Sequence, residues 1–169
     1  VTVSKGIKFP ATQVASTDAN TLDDYEEGTW TPVVTGTGTA GTYEPDNTFN
    51  KGFYQKIGRI VTVRAISALA SSITAGGSGS MQIGGLPFNY DVSDNCGSGA
   101  VVTDSVDFTD SAISNVNIFG LAITANSGTD ASTLRLLLSQ DNSGFYTRAI
   151  ADVDPLDFIE FTYTYATTA

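Results

Sequence analysis

The run Phe158-Ile159-Glu160-Phe161-Thr162-Tyr163-Thr164-Tyr165-Ala166 alternates between apolar and polar side chains without a slip. Neighbouring side chains of an extended chain point to opposite faces, so Ile159, Phe161, Tyr163 and Tyr165 share one face and Glu160, Thr162 and Thr164 the other. A strand with so apolar a face has to bury it against a second layer. No segment sustains the 3.6-residue apolar period of an amphipathic helix, and no repeat of fixed length is visible. The expectation is an all-β chain.

Shorter runs of the same kind, separated by turn residues, fill the chain from Trp30 onward, the pattern of a sandwich or barrel. Strands are expected over Trp30–Val34, Phe53–Ile57, Ile60–Leu69, Ser80–Ile83, Ala100–Phe108, Val116–Thr124, Leu134–Leu138, Phe145–Ala149 and Phe158–Ala166. Pro32 lacks an amide donor and is tolerable only near a strand start or an edge. Gly58 between two apolar runs predicts a tight hairpin or a bulge. Val102, Val106 and Phe108 are expected on one buried face, and Leu134, Leu136 and Leu138 on another. Val116–Thr124 is nearly all apolar and reads as a central strand covered on both faces. Loops are expected at Gly36–Gly41, Ser71–Gly79 and Asp91–Ser98, and a turn at Asp141-Asn142-Ser143-Gly144.

Residues 1–28 read differently. They are mostly polar, and Asn20 or Thr21 is placed to cap one helical turn running into Tyr25, with Gly28 as its stop. Too few apolar residues are present for this piece to fold alone. The division expected is an N-terminal arm over 1–28 and an antiparallel β-sandwich over 29–169. The chain opens on Val1 and its one Met is Met81, from which we expect a piece of a longer protein.

Charge narrows the partners. The chain carries 8 Lys plus Arg against 18 Asp plus Glu, a net charge of −10. Nucleic-acid affinity comes largely from cationic side chains displacing counterions, so no nucleic acid is expected as a partner. No stretch of about 18 apolar residues occurs, and no membrane insertion is expected. Cys96 is the one cysteine, so an intrachain disulfide is impossible.

Catalytic chemistry finds little to work with. With no His in the chain, Ser-His-Asp and Cys-His arrangements cannot form, and the common zinc ligand sets fail as well. A carboxylate pair for glycoside hydrolysis depends on spacing in the fold, which sequence distance does not supply. Asp91, Asp94 and Asn95 crowd one loop, and Asp152, Asp154 and Asp157 another. Oxygen-rich loops suit calcium, but turn formation by Asp and Asn accounts for both. The expectation is a non-enzymatic chain with no cofactor and no metal.

Four segments carry a family likeness: Gly6-Ile7-Lys8-Phe9-Pro10-Ala11-Thr12-Gln13, Thr21-Leu22-Asp23-Asp24-Tyr25-Glu26-Glu27-Gly28-Thr29-Trp30-Thr31-Pro32, Gly52-Phe53-Tyr54-Gln55-Lys56-Ile57-Gly58-Arg59-Ile60-Val61-Thr62-Val63 and Gly84-Gly85-Leu86-Pro87-Phe88. In this order they resemble the C-terminal module of many bacteriophage tail fibre and tailspike proteins, over roughly the first 90 residues. The resemblance implies a homotrimer at the tip of a virion fibre, with a jelly-roll or carbohydrate-binding-module-like sandwich. It further implies receptor recognition, trimer assembly, or both. The receptor would be a host cell-surface glycan, lipopolysaccharide or capsule. Tailspikes that cleave polysaccharide usually do so in a separate β-helical domain, which leaves this module non-catalytic.

Two groups of residues are candidates within that frame. Sugar binding combines aromatic faces with short polar side chains, and Tyr tolerates partial exposure better than Phe. Tyr43, Tyr90 and Tyr146 lie in or beside expected loops, with Asp46, Asn47, Asp94, Asn95, Asp141 and Asn142 nearby. For the arm and the trimer contacts, the acidic run Asp23, Asp24, Glu26 and Glu27, beside Tyr25 and Trp30, can pair with Lys56 and Arg59 next to Tyr54, within one chain or across a subunit boundary. Two other readings stay open: a purely structural trimerisation clamp, and a carbohydrate-binding module of a secreted bacterial enzyme.

Overall fold

The computed structural model describes residues 6–10, 18, 21–22, 24–94, 97–106, 118–125, 131–140 and 144–168. The strands in chain order are β1 (Tyr25–Trp30), β2 (Val33–Gly36), β3 (Thr42–Pro45), β4 (Lys51–Ile57), β5 (Ile60–Ala75), β6 (Met81–Gly84), β7 (Gly97–Asp104), β8 (Ile118–Ala125), β9 (Leu134–Gln140), β10 (Tyr146–Thr147) and β11 (Phe158–Ala166). A single 3-10 turn at Ile150–Asp152 leads toward β11, and no α-helix occurs among the described residues.

These strands form two antiparallel sheets. The first runs β1-β4-β5-β11-β7, with β3 paired to the far half of β5; the second runs β10-β9-β6-β2, with β8 also paired to β9. Pro32 falls between β1 and β2, where the chain leaves the first sheet for the second and no ladder donor is needed. Gly58 and Arg59 make the two-residue hairpin between β4 and β5, and Gly58 takes a φ of 56°, which glycine adopts without a Cβ clash.

One hydrophobic cluster joins the inner faces. Val61, Val63 and Ala65 of β5 and Ile159, Phe161, Tyr163 and Tyr165 of β11 meet Val34, Met81, Ile83, Leu134 and Leu136 of the second sheet. The alternation read in β11 is therefore the core-facing register of the first sheet's central pair, and β11 has the expected ends.

The motifs around β1 and β4 have a mutual geometric explanation. Gly28 stands opposite Tyr54, and Trp30 opposite Gly52. Each aromatic ring lies across the glycine of the other strand. A Cβ on Gly52 would come within 2.3 Å of Trp30 Nε1, and one on Gly28 within 2.7 Å of the Tyr54 ring. Gly99, opposite Tyr163 on the β7–β11 pair, repeats the arrangement. Glycine-x-aromatic on two antiparallel strands is thus a self-complementary packing unit. It turns Thr29 and Phe53, the residues in between, to the outer face.

Several expectations are corrected. Among the described residues no helical turn runs into Tyr25: Thr21 N–H donates to Asp18 O at 3.0 Å, upstream of it, and Tyr25 already belongs to β1. An isolated helical turn is a costly nucleus, whereas β1 gains pairing along all of Tyr25–Trp30. The strand expected over Trp30–Val34 is two strands in different sheets. Ser71–Gly79 is not all loop, because β3 supplies a partner that carries β5 on to Ala75. Val102 is 66% exposed on the first sheet's outer face, while Val106 is buried past the strand's end. Among the described residues the apolar run around Ile118–Ala125 is not central; β8 pairs there with β9 alone and lies against β7 of the other sheet. Phe108, Val116 and the turn over 141–143 lie outside the described residues.

Candidate functional site

The outer face of the first sheet carries the site. Across it runs a row of register neighbours, Thr29 of β1, Phe53 of β4, Arg64 of β5 and Thr162 of β11. The next row is Glu27, Gln55, Thr62 and Thr164. The sheet's twist and these side chains, Thr164 apart, form an open hollow of about 590 Å³. That is within the roughly 300–1,000 Å³ typical of small-ligand sites.

At its centre Phe53 is 43% exposed, an aromatic ring that the core does not use. The Arg64 guanidinium lies 5.2 Å from the ring centroid, a cation–π contact that also fixes where the guanidinium stands. The Thr62 and Thr164 hydroxyls are 3.0 Å apart. Glu27 accepts a hydrogen bond from the Tyr25 hydroxyl at 2.9 Å, which orients its carboxylate on the same face and raises the Tyr25 pKa. An exposed ring therefore sits among an amide, a carboxylate, a guanidinium and hydroxyls, a mixture of donors and acceptors on a rigid sheet.

A second hollow, of about 570 Å³, lies at the end of the sheet where Phe9 and Pro10 meet Tyr25, Lys56 and Phe88. The Phe9 and Tyr25 ring centroids are 6.0 Å apart. Here Lys56 and Asp24 form a buried ion pair, and Lys56 Nζ is 5.5 Å from the centroid of Phe88.

The expected pairing of acidic run and basic residues is met within one chain for Asp24 and Lys56. Strand geometry separates the other acids. Glu26 lies on the Tyr54 side of the sheet, still exposed, and accepts a 2.5 Å hydrogen bond from the Tyr54 hydroxyl, while Glu27 lies on the opposite face. That hydrogen bond, with some burial and the nearby charge, pushes the Tyr54 pKa up to about 12. Arg59 turns elsewhere, to Asp91 at 2.6 Å and to the Thr167 carbonyl at 3.0 Å. Asp91 is further held by Ser93, whose hydroxyl and backbone amide both donate to it, and its pKa is lowered chiefly for that reason. Trp30 is buried, with its ring centroid 6.2 Å from that of Phe161. Asp23 lies outside the described residues.

The tyrosines expected to bind sugar are not gathered in this hollow. The Tyr43 hydroxyl receives a hydrogen bond from the Gly77 amide at 2.7 Å and donates to the Ile150 carbonyl at 3.3 Å, bracing the β3 connection against the core. Tyr90 is buried in the core cluster. It shares with Asp94 a cavity of about 10 Å³, at most the size of one water. Tyr146 is 39% exposed on β10, in the other sheet. Asp46 folds its own turn, accepting from the Thr48 and Phe49 amides, with Asn47 exposed inside that turn. Asn95, Asp141 and Asn142 lie outside the described residues. In the loop before β11, Asp157 faces Arg148 at 3.7 Å and accepts from the Asp154 amide, so its carboxylate ties the loop together.

Sequence reasoning missed Phe53, Gln55, Thr62, Arg64 and Thr162 as site residues. The signal available was the glycine-x-aromatic spacing, which implies that the residue between Gly52 and Tyr54 faces away from the core. Comparison with protein-family models, curated proteins and solved structures finds no match to this chain.

Proposed function

We propose that this chain is the tip module of a bacteriophage tail fibre or tailspike, and that it attaches the virion to a glycan on the host cell surface. In this reading the two sheets stack as a jelly-roll or carbohydrate-binding-module-like sandwich behind an N-terminal arm. Three copies assemble, and the module binds without cleaving. The observation that carries it is the exposed Phe53 within an open hollow that also presents Glu27, Gln55, Thr62 and Arg64. Flat apolar rings stack on the CH faces of pyranoses, while side-chain amides, carboxylates and hydroxyls hold the sugar's hydroxyl groups. Sequence motifs supply the phage context, and the absence of His removes the commonest hydrolytic triads.

The test is binding of the fluorescently labelled chain to a panel of bacterial cells, before and after their surface polysaccharide is stripped. Saturable binding to some strains that disappears on stripping, and is weakened by Phe53→Ala, is the expected result. Absence of binding to every strain overturns the attachment role and leaves the trimerisation clamp.

A further inference from the structure

Resting on that glycan-binding reading, we infer that the hollow on the first sheet takes an uncharged sugar unit, a neutral hexose within the receptor chain, rather than a carboxylated or phosphorylated one. The argument is one of charge and of hydrogen-bond direction. Among the described residues that line the hollow Arg64 is the one cation, and Glu27 lines it too. Among the described residues of the wider outer face the exposed charges are Glu27, Asp104 and Glu160 against Lys51 and Arg64. The whole chain carries −10. An anionic polymer laid across this face would meet net repulsion, and a single Arg already seated on an aromatic ring is a poor counterweight.

A neutral hexose meets the opposite situation. Each of its hydroxyls can donate and accept, so it can use an acceptor-only carboxylate and a donor-only guanidinium in the same site. Glu27 and Arg64 flank Phe53 at adjacent rows of the sheet, and Gln55 and the Thr62–Thr164 hydroxyl pair extend the polar rim. A sugar ring stacked on Phe53 therefore has a donor and an acceptor within reach of its edge. Glu27 is the residue that discriminates: it accepts from a hydroxyl and repels a carboxylate or phosphate at the same position.

An array of bacterial surface oligosaccharides, divided into neutral and acidic repeat units, tests this with the wild-type chain and with Phe53→Ala, Phe53→Leu, Glu27→Gln and Arg64→Gln. Phe53→Leu keeps apolar volume while removing the flat ring, so it guards against a folding defect in the alanine variant. The expected result is binding confined to neutral glycans, little changed between low and high salt, and weakened about tenfold in both Phe53 variants. Glu27→Gln is expected to let acidic glycans in. Binding of acidic glycans by the wild-type chain, lost in Arg64→Gln and steeply reduced by salt, overturns this inference and leaves the glycan reading standing. Silence across both halves of the array overturns the two together.

Discussion

Trp30 lies over Gly52 so closely that the backbone position admits no side chain. With a Cβ 2.3 Å from the indole nitrogen, either the ring or β4 must move. Gly52→Ala is expected to lower stability by about 1–3 kcal/mol, the usual range for overpacking, and urea denaturation followed by Trp30 fluorescence measures it. An unchanged midpoint would mean that the indole does not rest on this glycine. Tyr54, the partner of Gly28, offers a pH test. Its pKa in the folded chain is about 12 against 10.0 for an ordinary tyrosine, so between those values the folded state holds a proton that the unfolded state has released. Stability contributed by Tyr54 is complete below about pH 10 and declines as pH rises toward 12. Tyr25 and Tyr165 are shifted upward as well and add to the same decline. Tyr54→Phe should therefore reduce, without abolishing, the alkaline loss in melting temperature between pH 10 and 12; an identical slope would place no proton on the Tyr54–Glu26 contact. These pairings were hidden in the sequence, where Glu26 and Glu27 look like one acidic patch and only the strand's alternation sends them to opposite faces. Phe53 was hidden for a related reason: most Phe side chains are core, and its exposure follows from which neighbour is glycine.

Among the strands, those legible in advance are the ones whose two faces differ sharply. β11 alternates throughout, and β9 buries Leu134, Leu136 and Leu138 as its spacing predicts. The continuation of β5 to Ala75 was not legible, because Ser71, Ser72 and Thr74 carry no apolar signal and the strand exists there through its pairing with β3. Nor was the sheet order: a nearly all-apolar run such as Ile118–Ala125 looks the same whether a second strand or another sheet covers it. At this scale β11 carries the sharpest prediction. It pairs on both sides, with β5 and β7, and Phe161 sits in its middle against Trp30. Phe161→Ala removes a ring that is 2% exposed, and a loss of about 3–5 kcal/mol is expected from the transfer and cavity terms together. Calorimetric melting of the variant reads this directly, and a wild-type melting temperature would remove Phe161 from the core.

For the whole molecule, the feature left unexplained by one chain is a strip of exposed apolar side chains at the end of the first sheet. Tyr25, Ile57 and Ile60 are register neighbours on its outer face, 37%, 52% and 50% exposed. Scattered exposed apolar residues are ordinary on any surface, but a contiguous row on a rigid sheet is the kind of patch that marks a contact. In the proposed trimer this strip meets a neighbouring copy. The Glu27–Gln55–Thr62–Thr164 row separates the strip from Phe53, so a contact made there leaves the hollow open beside the subunit boundary. Light scattering is expected to give three times the 17.6 kDa of one chain. The double substitution Ile57→Asp and Ile60→Asp is expected to return the mass to that of a single chain. Both residues flank an exposed hairpin, so the core should survive the change, and an unchanged β-type circular dichroism spectrum checks that it does. A wild-type mass of one chain at high protein concentration removes the trimer. A trimer that persists in the double variant keeps the assembly and moves its contact away from this strip.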